Sequence, residues 1–149
     1  MIRIIFFLII FFNFSLLKGE DITNSIEADK IEYLNLDGKI KAIGSVKIIQ
    51  NEYKLNADEI SFNQKNDIIE GTGNIILEKI GGEKIFASKI KLSSDLTNGI
   101  IENPTLQTIN GLNISSAYAI RSNGNSLILK KGIFSPCKIC SDNKRKLSW

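Results

Sequence analysis

The chain has 149 residues, 43% of them hydrophobic and 23% charged, with a formal charge of +3, two cysteines and no histidine. The length suits one domain of ordinary globular composition. The near balance of 19 Lys/Arg against 16 Asp/Glu removes the electrostatic case for binding nucleic acid, and the missing histidines remove the commonest general base.

The amino terminus reads as an export signal. Arg3 is a short basic region, Ile4 to Phe12 is an unbroken apolar run, and Phe14 to Leu17 extends it past Asn13. The polar Lys18-Gly19-Glu20-Asp21 follows. The run is shorter than the roughly 20 residues a spanning helix needs and suits a signal sequence. Residues 1–19 are therefore expected to be a signal peptide, although Leu17 makes a poor −3 position for cleavage after Gly19. A retained anchor is the alternative, and either exports the domain. Without Arg3 and Lys18 the balance is 17 basic against 16 acidic side chains.

From Ile26 onward the pattern is β and it repeats. Ala28-Asp29-Lys30 recurs as Ala57-Asp58-Glu59, as Ala87-Ser88-Lys89 and faintly as Ala117-Tyr118-Ala119, in steps of 29, 30 and 30. Gly44, Gly73, Asn103 and Gly132 keep the same time, as do Tyr33, Phe62 and Leu92. Self-similarity at this period means stacked units sharing one continuous inner surface.

Each unit reads as two short strands, a turn and a bend. The first carries Ile31 and Tyr33, and then Ile40, Ala42, Gly44, Val46 and Ile48 alternate with Lys39, Lys41, Ser45 and Lys47. This is the period of a half-buried strand. The second unit has Ile60 and Phe62, then Ile69, Gly71, Gly73, Ile75 and Leu77; the third has Ile90 and Leu92. Ile26 and Ala28, Leu55 and Ala57, and Ile85 and Ala87 share one parity, whereas the apolar residues after each Ala fall on the other. A bulge or corner at the Ala would re-aim the side chains in this way.

Leu36-Asp37-Gly38, Gln64-Lys65-Asn66-Asp67, Leu96-Thr97-Asn98-Gly99 and Asn123-Gly124-Asn125 supply turns between the strands of a unit. Nothing reads as an amphipathic helix, so the expected class is all-β, with eight or more short strands in a stacked antiparallel sheet. Lysines alternate with acids along the strands, the pattern of a solvated outer face.

Residues 136–149 leave the repeat, with Cys137-Lys138-Ile139-Cys140 followed by a polar run and the lone Trp149. A redox pair would need a thioredoxin-like setting, and zinc would need two further ligands. Disulfide use is the default for an exported chain, and a local Cys137–Cys140 bond is strained at this spacing.

The repeated Ala-Asp-Lys/Glu-Ile-x-Tyr/Phe unit, followed by Gly-x-Val/Ile-x-Ile/Leu, resembles the OstA-like domain of the lipopolysaccharide transport proteins. Asn63-Gln64-Lys65-Asn66-Asp67 and Ile69-Glu70-Gly71-Thr72-Gly73-Asn74-Ile75 are especially similar, and the resemblance covers about Ile26 to Ile133. Phe134-Ser135-Pro136-Cys137-Lys138-Ile139-Cys140, with a Trp nine residues after the second Cys, resembles the junction between domain and barrel in the outer-membrane translocon. The resemblance implies an OstA-like β-jellyroll over residues 20–135, a V-shaped pair of sheets, and a cysteine-containing linker over 136–149 toward a barrel that this sequence lacks. It implies disulfide roles for Cys137 and Cys140, with partners in that barrel.

It also implies a lipopolysaccharide ligand, its lipid A acyl chains inside the groove and its sugars outside. The implied partners are a neighbouring bridge protein joined by strand addition, through the edge near Ile26 to Leu34, and an outer-membrane lipoprotein that plugs the barrel. The implied place is the periplasmic face of the outer membrane of a Gram-negative cell, with no cofactor and no metal. The inward parity set, Ile31, Tyr33, Ile40, Val46, Ile48, Ile60, Phe62, Ile75, Leu77, Ile90 and Leu92, is the expected lipid groove. Each methylene taken from water contributes about 0.8 kcal/mol, so such a groove holds tails without polar contacts. The plainer reading is that these side chains fill a closed core. A free-standing bridge protein, and a structural repeat that binds no lipid, are the other readings. An enzyme would need paired inward carboxylates, and Asp29 and Asp58 sit beside the inward Ala and point out.

Overall fold

The structure is a computed structural model of the chain that describes residues 24–34 and 38–135. The expected signal peptide, residues 35–37 of the expected turn and the cysteine-bearing segment from Pro136 lie outside the described residues.

Alternating side chains make strands, and the described residues form ten of them in one antiparallel sheet. They are β1 (Ser25–Glu27), β2 (Lys30–Leu34), β3 (Lys39–Gln50), β4 (Tyr53–Asn63), β5 (Ile68–Lys79), β6 (Lys84–Ser93), β7 (Gly99–Glu102), β8 (Thr105–Gln107), β9 (Asn113–Ser122) and β10 (Ser126–Ser135). The order is β1-β3-β4-β5-β6-β7-β9-β10, with β2 beside β1 on the free side of β3 and β8 beside β7 between β6 and β9. Successive hairpins explain the antiparallel order, because short turns join only neighbouring antiparallel strands.

The units are longer than two short strands each. β3 to β6 run for 10 to 12 residues straight through the repeat's Ala and Gly. The bulge is not at the Ala itself: the parity slip of β4 and β6 lies opposite an extra residue in β3 and β5, and the ladder is intact on both sides. In β3, Gly44 and Ser45 together oppose Asp58 alone. In β5, Gly73 and Asn74 together oppose Ser88. All four have φ between 41° and 78°, and a bulge of this kind bends its strand.

The bulges align from strand to strand. The column begins at the Ala28-Asp29 break between β1 and β2 and crosses every strand to the left-handed Lys131 of β10 (φ 55°). Side chains lock it. Asn74 Nδ2 donates to Asp58 Oδ2 at 2.8 Å, and Asn103 Nδ2 donates to Ser88 Oγ at 2.9 Å. A Cβ added to Gly73 would overlap the Asp58 carboxylate, as one on Gly44 would overlap Asp29. Gly73→Ala combines that overlap with a left-handed φ of 73°. It should cost about 1–3 kcal/mol, read as a lower urea midpoint; an unchanged midpoint would show that the corner tolerates a side chain.

The column is the line along which the sheet folds over. β4 and β9 are four strand spacings apart, roughly 19 Å in a flat sheet. Yet Tyr53, at the start of β4, hydrogen-bonds Gly124 in the β9–β10 turn at 3.2 Å. The sheet therefore makes two facing half-sheets with one apolar core between them. The outer faces are charged. Lys47–Glu27 (3.3 Å), Lys91–Glu70 (2.9 Å) and Lys84–Glu78 (3.3 Å) pair across strands, each contributing about 0–1 kcal/mol.

Candidate functional site: an apolar interior open at both sheet edges

Cross-strand register sorts the inner face into rows. One runs Ile26, Ile48, Leu55, Leu77, Ile85, Leu106, Ile114 and Phe134. On the facing half-sheet another runs Ile31, Ala42, Ile60, Gly71, Ile90, Ile101, Ala119 and Leu129. A third runs Tyr33, Ile40, Phe62, Ile69, Leu92, Gly99, Arg121 and Leu127. Val46 opposes Ala57, and Ile75 opposes Ala87, next to the corner. Every residue of the inward parity set thus falls on one of these rows or in a pair beside the corner.

Their environments differ along the rows. Val46, Ile48, Ile60, Ile75, Leu77, Ile90 and Leu92 are buried, while Ile40 and Phe62 are half-buried. Their apolar surface is covered by each other. Ile31 and Tyr33 are 51% and 58% exposed because, among the described residues, no strand lies beyond β2 to cover them. Phe134, at the opposite edge, is 56% exposed. The rows are therefore dry in the middle and wet at both ends, where β1, β2 and β10 leave backbone groups unpaired.

The rims opposite the corner meet at one point that the repeat does not announce. Tyr53 Oη donates to the Gly124 carbonyl at 3.2 Å, Arg121 Nε donates to the Leu96 carbonyl at 2.9 Å, and the guanidinium lies 4.8 Å from the Tyr53 ring centre. Leu96 is fully buried in a left-handed conformation (φ 62°). A Cβ on Gly124 would overlap the Tyr53 hydroxyl, so glycine is what lets the turn approach. Burial, the largest influence, pushes the Tyr53 phenol above its ordinary pKa. Tyr53 shares the parity of Leu55 and Ala57, and Arg121 that of Ala119, so parity extended by one step finds both.

The Leu96 turn is fixed by Asp95. Its carboxylate accepts from the Ser93 hydroxyl, from Thr97 N at 3.0 Å and from Thr97 Oγ1 at 2.8 Å. The Ser93 bond is the largest influence, and with those from Thr97 it holds the Asp95 pKa below the ordinary aspartate value against the effect of burial. A depressed folded-state pKa gives stability that is present above the unfolded pKa and lost as pH falls through the folded one. Stability should therefore decline from about pH 5 downward, and Asp95→Asn should flatten that decline in urea unfolding followed against pH. Equal slopes would remove Asp95 as its source.

Beyond the Tyr53–Arg121 contact, toward β10, the rims enclose a cavity of about 390 Å³ whose lining includes Lys79, Ile85, Leu106, Arg121 and Leu127. Among the described residues no group of three or more metal-ligating side chains gathers, and the buried inward positions carry no carboxylate.

These features define a repeat-built antiparallel β domain whose apolar interior reaches solvent at both sheet edges. The family model for the LptA/(LptD N-terminal domain) LPS transport proteins matches residues 25–125, and the chain belongs to that family. No curated protein matches it. Among solved structures, LptH of Pseudomonas aeruginosa, the LptA-homologous periplasmic component of the lipopolysaccharide transport device, superposes with a TM-score of 0.62 at 12% identity. The match covers 73% of this chain and 82% of that one, and it shows the same fold, the β-jellyroll.

Proposed function

We propose that the domain carries lipopolysaccharide through the periplasm, with acyl chains along the inner rows and sugars outside, and hands it toward the outer membrane. The observation that carries this reading is the apolar rows crossing the whole sheet and exposed at both edges. A closed sandwich would bury its row ends. Exposed ends beside unpaired strands suit strand addition to a neighbouring bridge protein, which would make the rows continuous from one domain to the next.

In this conformation the middle of each row is filled by its own side chains. Transit therefore requires the half-sheets to part where Tyr53, Arg121 and Gly124 join the rims. The domain binds and does no chemistry; the side chains pointing inward are aliphatic or aromatic, apart from Arg121 and a few small polar ones.

The test places a photo-crosslinking residue at Ile31, Tyr33 or Phe134 and, separately, on the outer face at Lys91, in cells making lipopolysaccharide. Adducts from the first three and none from Lys91 support the groove. Equal labelling at all four would mean lipid contact without a groove and overturn this reading, and no labelling would leave a structural repeat that binds no lipid.

The finer reading is the amino-terminal domain of the outer-membrane translocon, with Cys137 and Cys140 bonded to its barrel and a lipoprotein plugging that barrel. Support comes from the cysteine-bearing junction in the sequence. An immunoblot of fractionated cells separates this from a free bridge protein. The translocon gives a band far larger than this chain in the outer membrane, shifting on reduction. A bridge protein gives a small periplasmic band.

A further inference from the structure

Among the described residues, Arg121 is the one charged side chain in the buried interior, with 7% of its surface exposed. A buried cation is costly unless an anion or a full set of acceptors offsets it. Arg121 has only part of that compensation. Its Nε bonds the Leu96 carbonyl, and Tyr53 lies under the guanidinium. Among the described residues no carboxylate comes within ion-pairing distance of it. The nearby Glu52 is engaged by Lys79 at 3.1 Å, and Glu83 is exposed on the cavity rim. The two terminal nitrogens of a guanidinium present a planar fork suited to a phosphate.

The cavity beside it supplies the rest of a site. Arg121 and Lys79 line the same 390 Å³ space as the apolar Ile85, Leu106 and Leu127. Leu106 and Ile85 belong to the inner row that ends at Phe134, and Leu127 adjoins Arg121 across the strand pair. Cationic and apolar groups thus share one opening between the rims.

We propose that this cavity is a headgroup site for a phosphate-bearing amphiphile: the Arg121 guanidinium takes the phosphate, and the first chain methylenes lie on Ile85, Leu106 and Leu127. The proposal rests on the reading that lipid chains enter the interior. It adds that the lipid is held by its anionic group at one defined strand position.

The test measures equilibrium binding of the full chain to detergent-dispersed lipid A carrying both phosphates and to the same lipid enzymatically stripped of them. Inorganic phosphate alone forms a third arm. Wild type should bind the phosphorylated lipid about tenfold or more tightly than the stripped one, as loss of a charge-assisted pair implies. R121M should bind both equally, and R121K should keep part of the preference. Equal binding of both lipids by wild type overturns the headgroup site while lipid carriage stands. Binding of neither overturns the carriage reading itself. A preference that survives in R121M removes Arg121 from the site. Displacement of the lipid by millimolar inorganic phosphate would make this a free-phosphate site and overturn the lipid assignment. If R121M does not fold, the wild-type comparison and R121K decide alone.

Discussion

Leu55→Ala should lower the unfolding free energy by about 2–5 kcal/mol, the range for emptying a fully buried leucine site. Leu55 has no exposed surface and sits at the centre of a row, flanked across the strands by Ile48 and Leu77. Both neighbours are held by ladders on two sides, so little can move in to fill the space. The facing half-sheet cannot approach either, because the Tyr53–Gly124 and Arg121–Leu96 bonds set the rim separation. The loss would therefore fall toward the upper part of the range. Urea unfolding of the purified domain measures it. A change under about 1 kcal/mol would mean that the interior is loosely packed and that the half-sheets already part readily.

Ile31→Asp should have the opposite profile, a large effect on lipid binding and little on folding. Ile31 is half exposed at the end of its row, so a carboxylate there stays hydrated and costs the folded state little. It would stand where an acyl chain must pass between neighbouring domains. Displacing several methylenes at about 0.8 kcal/mol each predicts a loss of tenfold or more. The measurements are lipid A binding and the thermal midpoint on the same preparation. Unchanged binding with an unchanged midpoint would show that lipid does not enter by the β2 edge. Ile31→Leu, which keeps the apolar surface, should bind as wild type does.

Much of this architecture was legible in the sequence, because one repeated unit states the same instruction several times. The parity slip at Ala57 and Ala87 marked the corner, but the extra residue sits in the partner strands, at Gly44-Ser45 and Gly73-Asn74, whose own parity runs unbroken. The slip could not show how long the strands run through it, because a bulge and a break produce the same pattern. Burial along the rows was also hidden. Ile31 and Ile60 occupy equivalent places in successive units, yet one is half exposed and the other buried. The difference is their distance from the sheet edge, which a repeat cannot encode. Tyr53 and Arg121 went unread, and Leu96 and Gly124 were read only as turn residues, for a related reason. They meet across the fold, between residues up to 71 apart in the chain, and belong to no shared motif.

The aligned bulges also govern how such a domain can lengthen. Each of the first two periods brings a left-handed pair at the bend, Gly44-Ser45 and Gly73-Asn74, and the later ones a single left-handed residue, Asn103 and Lys131, so a whole period inserted in frame brings a rib with the crease already placed. Two strand spacings add about 9.6 Å to the sheet along the crease. A partial insertion would instead set one crease out of line and pull the inner and outer faces of every later rib out of phase. Duplication of a whole period of 29 or 30 residues is thus the step that lengthens the sheet while keeping its crease in line.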